Sequence, residues 1–280
     1  MTGLVPQDTT MLEDIERELD LASFYNTNIK ENFFEFDLDE LGLPSAEELL
    51  EATIAIEKEL GELKGWRSNY KESTSYKGFS LVYNPTLGVD PYATLGDPRL
   101  TQNFSRTLGT GNLTTLKNSY HDTYRFSKVH PVVEKHYKKL LDRCNCKLTR
   151  SRVSYIFPVD DSIYNYNYHR DEFPFQNLRV NIPLQTDESY ILEVTGTDEY
   201  GNGLELRKHL EVGKCYIWNT RIPHRVVATT KPKSDKPRIH IVLGFTPWIN
   251  VSDDNESYEK SEFFGIQPFD LLKPGKLFKA

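Results

Sequence analysis

The sequence contains little cysteine, no long apolar run and no excess of positive charge. Its 280 residues include three cysteines, Cys144, Cys146 and Cys215, an odd number that favours no disulfide framework and fits a reducing compartment. Apolar stretches such as 239–245 are far shorter than the roughly 18 residues typical of a transmembrane helix. The acidic N-terminus lacks the pattern of a secretory signal. We therefore expect a soluble cytoplasmic protein that does not associate with membranes.

The charge balance argues against a protein whose main function is to bind nucleic acid. Lys and Arg total 34 against 41 Asp and Glu, a formal net charge of −7, whereas phosphate binding needs a basic surface. A local basic patch, for example within 143–152, stays compatible with this balance. Sixteen Tyr and fifteen Phe supply large apolar areas, which favour a folded core over disorder. An isolated C-x-C pair at Cys144 and Cys146 is a weak metal signal, and we expect no metal there.

Residues 1–149 are predicted to form a helical and mixed region that packs on a core. Ser45 and Glu48 have the spacing of a capping box, and apolar residues then recur at helical spacing until 61–65. Further helices are predicted at 12–21 and 130–141, and a strand at 79–83. Residues 249–280 form a predicted C-terminal extension.

The pattern changes at about residue 150, where short β-rich runs follow one another with turn residues between them. Eight such runs in about 95 residues favour a sandwich or barrel, and the absence of helical patterns argues against a parallel α/β sheet. We therefore predict a core domain at 150–248. The predicted strands are 152–157, 164–169, 179–184, 190–194, 204–207, 215–218, 224–228 and 238–245.

Two histidines and one carboxylate stand out in this region. His169 and Asp171 form the His-x-Asp pair of the chain, and His224 opens a later predicted strand. Two imidazoles and a carboxylate on one face of a metal suit non-haem Fe(II), because three positions stay open. Such a triple also arises by chance. Arg238 opens the last predicted strand and either pairs with a buried carboxylate or lies at the surface after Pro237.

Three ordered stretches carry a resemblance to a known family. They are HRDEFPFQNLRVNIPLQTD at 169–187, GKCYIWNTRIPH at 213–224 and PRIHIVL at 237–243. Together they resemble the Fe(II)/2-oxoglutarate-dependent oxygenases. The most similar branch is the aspartyl/asparaginyl β-hydroxylase-like group, which includes free-proline cis-4-hydroxylases. The resemblance covers roughly residues 150–247, about a third of the chain.

The resemblance implies a mostly β fold with flanking helices and a double-stranded β-helix core, a cupin-like jelly roll. His169, Asp171 and His224 match the iron ligands, and Arg238 matches the arginine that binds the distal carboxylate of 2-oxoglutarate. Arg179 matches a second arginine, which we assign to co-substrate or substrate carboxylate binding. The peptidyl aspartyl hydroxylases carry Gly where this chain has Asp171, so the triad here is complete, which also argues against halogenation.

The implied activity is that of an oxidoreductase, a dioxygenase that uses Fe(II), 2-oxoglutarate and O2. The expected substrate is an amino acid, free or within a peptide, hydroxylated at an aliphatic carbon with succinate and CO2 as co-products. The alternative is a non-catalytic cupin-like barrel that binds a small molecule or metal. Strand alternation predicts that Arg238, His240 and Val242 share an inward face, where we expect His240 to be a hydrogen-bonded core residue.

Overall fold

The computed structural model describes residues 32–61, 63–68, 71–83, 128–158, 166–171, 174, 177–251, 258–273 and 275–279. The predicted helix at 12–21 lies outside these residues. Within them the chain is mostly β with a few short helices. The helices are α1 (Ala46–Leu60), α2 (Pro131–His136), α3 (Lys138–Arg143) and α4 (Pro268–Leu271). The strands are β1 (Phe33–Asp37), β2 (Lys64–Ser68), β3 (Lys71–Ser80), β4 (Val82–Tyr83), β5 (Lys128–Val129), β6 (Arg152–Ile156), β7 (Leu178–Gln185), β8 (Tyr190–Val194), β9 (Leu206–Lys208), β10 (Lys214–Trp218), β11 (His224–Ala228), β12 (Arg238–Phe245), β13 (Ile249–Val251) and β14 (Tyr258–Lys260).

Two antiparallel sheets form the core. The larger has the order β1-β10-β7-β12-β6-β3-β2, and the smaller has the order β11-β8-β9. From β7 onward the chain alternates between them: β8 and β9 join the small sheet, β10 the large one, β11 the small one and β12 the large one. This alternation is that of a jelly roll. The predicted fold class, mostly β with flanking helices around a double-stranded β-helix, is confirmed.

Strand β12 lies in the middle of the large sheet and is buried along its whole length. It pairs with β6 on one side and β7 on the other, so both edges have hydrogen-bond partners. Its odd-numbered residues, Ile239, Ile241 and Leu243, pack into the main hydrophobic core. Arg238, His240 and Val242 point to the opposite face and line a cavity, as strand alternation predicts. One strand therefore supplies both core and cavity wall.

Helix α1 covers the core side of the large sheet and has the predicted N-terminus. The Ser45 hydroxyl accepts a hydrogen bond from the Glu48 amide, and the Glu48 carboxylate accepts one from the Ser45 amide. Leu49 and Ile56 are buried in the same cluster as the sheet residues. The helix ends at Gly61, whose φ of 88° lies in a region that side-chain-bearing residues rarely adopt.

Two predicted elements are interrupted in the structure. The helix expected at 130–141 divides at Tyr137, whose side chain is buried and whose hydroxyl contacts Thr53 of α1. The strand expected at 79–83 divides at Leu81, because the Ser80 hydroxyl donates to the Val82 carbonyl at 2.6 Å and bends the backbone. A local side-chain hydrogen bond accompanies the break at Leu81 and a long-range contact to α1 accompanies the break at Tyr137, and a periodicity argument includes neither.

The edges of the core hold two further differences from prediction. Strand β1 pairs with β10 along its whole length, although the sequence pattern did not reveal a strand there. Of the strand predicted at 164–169, residues 164 and 165 lie outside the described residues, 166–168 form no strand, and His169 forms an isolated bridge with His224. The division of the chain at residues 149 and 248 stays a prediction. None of the described helices is long and apolar enough to cross a membrane.

Candidate metal centre and its cavity

The structure brings His169, Asp171 and His224 together between the two sheets. One ligand atom from each residue lies within 4.8 Å of the others. The Asp171 Oδ2 atom is 3.4 Å from His224 Nε2 and 3.9 Å from His169 Nε2. These three side chains are separated by up to 55 positions in the chain, so the fold and not local sequence places them.

Backbone hydrogen bonds hold the three residues in place. His169 and His224 form a reciprocal pair, with each amide donating to the other carbonyl at 3.0 Å. The Asp171 amide donates to the Thr220 carbonyl at 3.0 Å, which ties it to the turn before β11. The Arg221 guanidinium donates to the Asp171 carbonyl at 2.7 Å. Three backbone hydrogen bonds and one from the Arg221 side chain thus join two chain segments at the candidate centre.

Each imidazole has its tautomer set by a neighbouring carbonyl. His169 Nδ1 lies 3.0 Å from the Asn167 carbonyl, and His224 Nδ1 lies 3.0 Å from the Ile222 carbonyl. A carbonyl only accepts, so each Nδ1 carries the proton and each Nε2 presents a lone pair. Both Nε2 atoms face the Asp171 carboxylate. Metal-binding histidines typically have this arrangement, in which the second nitrogen is oriented by a backbone acceptor.

Asp171 is held in the charged form. Burial alone would raise the pKa of its carboxyl, but the Arg179 guanidinium in contact with it outweighs burial and holds that pKa well below its usual range. Arg179 donates from Nη1 to Asp171 Oδ2, and its side chain is 5% exposed. Burial also lowers the pKa of His169, with Asp171 acting in the opposite direction. A charged carboxylate and neutral imidazoles are the forms that bind a divalent metal.

The three residues open into a cavity of about 140 Å³ between the sheets. Arg238 lies in its wall, 7% exposed, with Nη2 3.1 Å from His240 Nδ1. His240 was expected to be a core residue with its hydrogen bonds satisfied. The Nδ1 atom has a partner in Arg238, but the expectation is wrong for Nε2. Among the described residues, His240 Nε2 has no hydrogen-bond partner, although the residue is buried and lines the cavity.

His240 is neutral and presents a donor to the cavity. Burial and the adjacent Arg238 charge hold its pKa well below the usual range. Because Arg238 donates to Nδ1, the proton lies on Nε2. Arg238 and His240 therefore form a pair of inward donors at the β12 wall. This chemistry fits a carboxylate, since guanidinium and N–H groups both donate to carboxylate oxygens.

Trp218 forms the cavity wall next to His224. Its ring meets the His224 ring edge-on with centroids 5.7 Å apart, and its Nε1 has no partner among the described residues. The aromatic residue Phe175 lies outside the described residues. Asn167 contributes its carbonyl to His169, while the residue itself is exposed.

Several cavity residues were not found by sequence reasoning. Arg150, Arg152, Tyr76, Tyr166 and Asn181 all line the cavity. The signal for the two arginines was their alternation with Ser154 and Ile156, which share one face of β6. Sequence reasoning noted 143–152 only as a basic patch. The side chains on this face of β6 point into the cavity because β6 pairs with β12. Local sequence does not reveal that pairing.

A group of charged and aromatic side chains on the small sheet supports the His169 segment. Tyr168 donates from its hydroxyl to Glu193 Oε2 at 3.0 Å, and Arg225 donates to the same oxygen at 2.7 Å. The Arg225 guanidinium also lies 4.3 Å from the Tyr168 ring centroid. Because Tyr168 precedes His169 and Arg225 follows His224, this group joins the neighbours of both histidines.

Comparisons with known proteins give only distant likenesses. No protein-family model matches the chain, and no curated protein sequence matches it. A prolyl hydroxylase of Trichoplax adhaerens, solved with a hypoxia-inducible-factor peptide fragment, is 14% identical with a TM-score of 0.38, covering 86% of this chain and 94% of that chain. The non-haem α-ketoglutarate-dependent epimerase SnoN of nogalamycin biosynthesis is 13% identical, with a TM-score of 0.38 and coverages of 86% and 85%.

A Pseudomonas putida prolyl-4-hydroxylase is 13% identical, with a TM-score of 0.37 and coverages of 84% of this chain and 98% of that chain. At this level of identity and structural overlap, these likenesses carry no weight in the functional proposal. That proposal depends on the chain's own residues.

Proposed function

We propose that the chain is an Fe(II)- and 2-oxoglutarate-dependent dioxygenase that hydroxylates an aliphatic carbon of an amino acid, free or within a peptide. The observation that carries the proposal is the convergence of two imidazole Nε2 atoms and the Asp171 carboxylate within 4.8 Å. Two nitrogens and one oxygen on one face suit non-haem Fe(II) and leave positions open. We assign His169, Asp171 and His224 as the metal ligands.

The donor set fits ferrous iron in charge as well as in geometry. Asp171 supplies the negative charge, and Arg179 orients its carboxylate without occupying an imidazole nitrogen. Iron bound here with 2-oxoglutarate and O2 would supply C–H oxidation, with succinate and CO2 as co-products. The surrounding side chains bind, orient and exclude water, which is the protein's share of such chemistry.

Arg238 and His240 are the groups we assign to 2-oxoglutarate. Arg238 is buried in the wall formed by β12, and a planar guanidinium matches a carboxylate with two parallel hydrogen bonds. His240 Nε2–H adds a second donor beside it. Arg179, assigned from sequence to a co-substrate or substrate carboxylate, contacts Asp171 directly. We therefore assign Arg179 first to orienting that ligand.

The proposed substrate class is argued from the size and polarity of the cavity and from the charge of the chain. An amino acid or peptide residue fits a small cavity with polar walls. Nucleic acid fits less well, because the chain carries a net charge of −7. We propose that the protein acts in the cytoplasm.

Succinate formation tests the proposal. The full chain is incubated with Fe(II), ascorbate and 2-oxoglutarate, with and without a panel of amino acids and short peptides, and succinate is measured. We expect iron-dependent succinate formation that Asp171→Ala abolishes and that His136→Gln retains, since His136 lies on α2 and contacts Glu59. Metal binding without succinate would overturn the proposal and favour the alternative, a non-catalytic metal-binding barrel.

A further inference from the structure

Two cavity arginines on β6 take no part in the candidate metal centre or in the proposed co-substrate site. Arg150 lies two residues before the first residue of β6, Arg152. Both line the cavity, and Arg150 is 7% exposed. A guanidinium is seldom buried to this extent without a functional or structural reason, because removing it from water costs roughly several kcal/mol of free energy.

The sheet register places these arginines at the opposite end of β12 from Arg238. Arg152 lies opposite Val242, while Arg238 lies opposite Ile156. Four residues along a strand correspond to about 13 Å. Arg150 is next to Gly244, where an added Cβ would lie 2.6 Å from the Arg150 carbonyl oxygen. Gly244 in turn lies opposite Arg179, the residue that contacts Asp171. Arg150 and Arg152 are therefore on the metal side of the cavity.

A buried amide completes this part of the wall. Asn181 lies opposite Val242 on β7, so Asn181 and Arg152 flank Val242 at one level of the sheet. The Asn181 side chain lines the cavity, and the residue is 8% exposed. Among the described residues its Nδ2 has no hydrogen-bond partner. A buried N–H group without an acceptor is costly, so its position indicates a ligand that accepts hydrogen bonds.

The charges around the cavity favour an anion. Among the described residues, its lining holds one carboxylate, Asp171, and five arginines, Arg150, Arg152, Arg179, Arg225 and Arg238. Arg179 contacts Asp171 and Arg225 contacts Glu193, so three arginines of this lining exceed the carboxylates that these two pairs neutralise. This positive site lies within a chain whose net charge is −7. An excess of buried positive charge raises the local concentration of anions and penalises cationic ligands.

Tyr166 places the arginine pair near the metal ligands. Its ring meets the His169 ring edge-on, with centroids 5.0 Å apart. Tyr166, Arg150 and Arg152 line the same cavity. An anion bound by these arginines would therefore lie close to the His169 side of the metal centre.

We propose that Arg150, Arg152 and the Asn181 amide bind an acidic group of the primary substrate, a carboxylate or a phosphate, on the metal side of the cavity. The proposal rests on the proposed function, because it assigns Arg238 to the co-substrate and leaves this second set of donors to the substrate. Two guanidinium groups and an N–H donor form a site for an oxyanion with several acceptor oxygens. The substrate class is thus narrowed to amino acids or peptides that present an acid to β6.

Calorimetric titration tests this inference. Inorganic phosphate and three ligand pairs are titrated into the full chain: aspartate and asparagine, glutamate and glutamine, and phosphoserine and serine. One arm uses metal-free protein, and the other uses protein loaded with Mn(II) and 2-oxoglutarate without oxygen. We expect at least one acidic ligand to bind at least tenfold more tightly than its neutral partner. Preference for aspartate or glutamate over the matching amide would indicate a carboxylate site, and preference for phosphoserine over serine would indicate a phosphate site.

Variants locate the binding site. We expect Arg150→Gln/Arg152→Gln to weaken the acidic ligand at least tenfold, Arg152→Lys to retain part of the affinity, and Asn181→Asp to repel the acid. Lys233→Gln removes the same charge from a side chain that is 79% exposed, and we expect it to bind as the wild type does. Equal binding by wild type and the Arg150→Gln/Arg152→Gln variant, or no acid preference in any pair, overturns the inference.

The two proposals fail in different ways in this experiment. Before the ligand titrations, 2-oxoglutarate is titrated into wild type and Arg238→Gln with and without Mn(II), and failure of the proposed function appears as 2-oxoglutarate binding that depends on neither Mn(II) nor Arg238. Failure of the present inference appears as normal 2-oxoglutarate binding without acid-selective binding of a second ligand. The metal-free arm measures anion binding at Arg150 and Arg152 without any turnover.

Discussion

Arg179 extends from strand β7 to the carboxylate of Asp171 and is 5% exposed where it does so. A guanidinium in direct contact with a candidate metal ligand keeps that ligand ionised and fixes its orientation. It also replaces part of the water that a carboxylate would otherwise require. Protein contacts therefore hold the candidate metal centre in place without a metal.

Arg179→Met is expected to destabilise the metal-free protein by about 2 kcal/mol, because it leaves the Asp171 charge without its main partner. The value is below the usual cost of breaking a buried pair, since the Asp171 side chain is 20% exposed. Urea unfolding measures the change. Added Mn(II) is expected to reduce the deficit by supplying positive charge, and Arg179→Lys to lose less than Arg179→Met. Equal stability of wild type and Arg179→Met would contradict this role.

Arg238→Gln is expected to weaken 2-oxoglutarate at least tenfold in its KM or Kd, because the bidentate donor to the distal carboxylate is lost. The affinity for the primary substrate is expected to change little, since Arg238 lies at the other end of β12 from Arg152. Steady-state kinetics with each substrate varied in turn separates the two effects. A normal 2-oxoglutarate KM would transfer the carboxylate-binding role to another arginine, Arg179 first.

His240 is expected to make folding stability depend on pH. Burial, Arg238 and His209 lower its pKa well below the usual range, and its sheet neighbours Ser154 and Pro183 do not titrate. Below pH of about 6.5 the unfolded imidazole binds a proton that the folded one excludes, so stability falls as pH falls, by about 1.4 kcal/mol per pH unit.

The measurement is urea unfolding of metal-free wild type and His240→Gln between pH 5 and 7, roughly the window in which an unfolded histidine titrates. We expect the wild type to lose more stability than the variant across this window. Parallel pH profiles would mean that His240 is protonated in the folded state, and its assignment as a neutral Nε2–H donor would then be wrong.

Tyr168→Phe is expected to weaken metal binding about tenfold, the lower end of the effect seen when groups that orient metal ligands are removed. The change deletes the hydroxyl that donates to Glu193 and keeps the ring that packs against Arg225. Mn(II) titration measures the affinity, and the thermal midpoint shows whether the fold is retained. Unchanged Mn(II) affinity would remove this group from the support of His169.

Sequence reasoning singled out His169, Asp171 and His224 from their residue types and from the family resemblance, and their role as metal ligands stays a prediction. A His-x-Asp pair and a later histidine predicted one site, and His169, Asp171 and His224 converge in space. The strand periods of 179–184, 190–194 and 238–245 also predicted strands that the structure contains. Alternation of apolar and polar residues in β12 predicted that Arg238 and His240 share one face, and the structure shows that this face lines the cavity.

Other features depend on contacts that local sequence does not contain. Arg150 and Arg152 were noted in the sequence only as part of a basic patch. The pairing of β6 with β12 places both residues in the cavity wall. His240 was expected to be a hydrogen-bonded core residue, because its own strand does not show whether Nε2 has a partner. The absence of a partner among the described residues depends on the neighbouring elements. The segment before His169 was predicted to be a strand, but residues 166–168 form none, and His169 makes only an isolated bridge with His224. Long-range register decided each of these cases.

Metal titration of single-ligand variants tests the central claim most directly. The wild type is expected to bind one Mn(II) per chain, and His169→Ala, Asp171→Ala and His224→Ala each to weaken that binding by about 100-fold or more, because each removes a ligand from a three-ligand set. His136→Gln serves as the matched histidine control and is expected to bind normally. Wild-type Mn(II) affinity in any of the three ligand variants would contradict a shared metal centre at His169, Asp171 and His224.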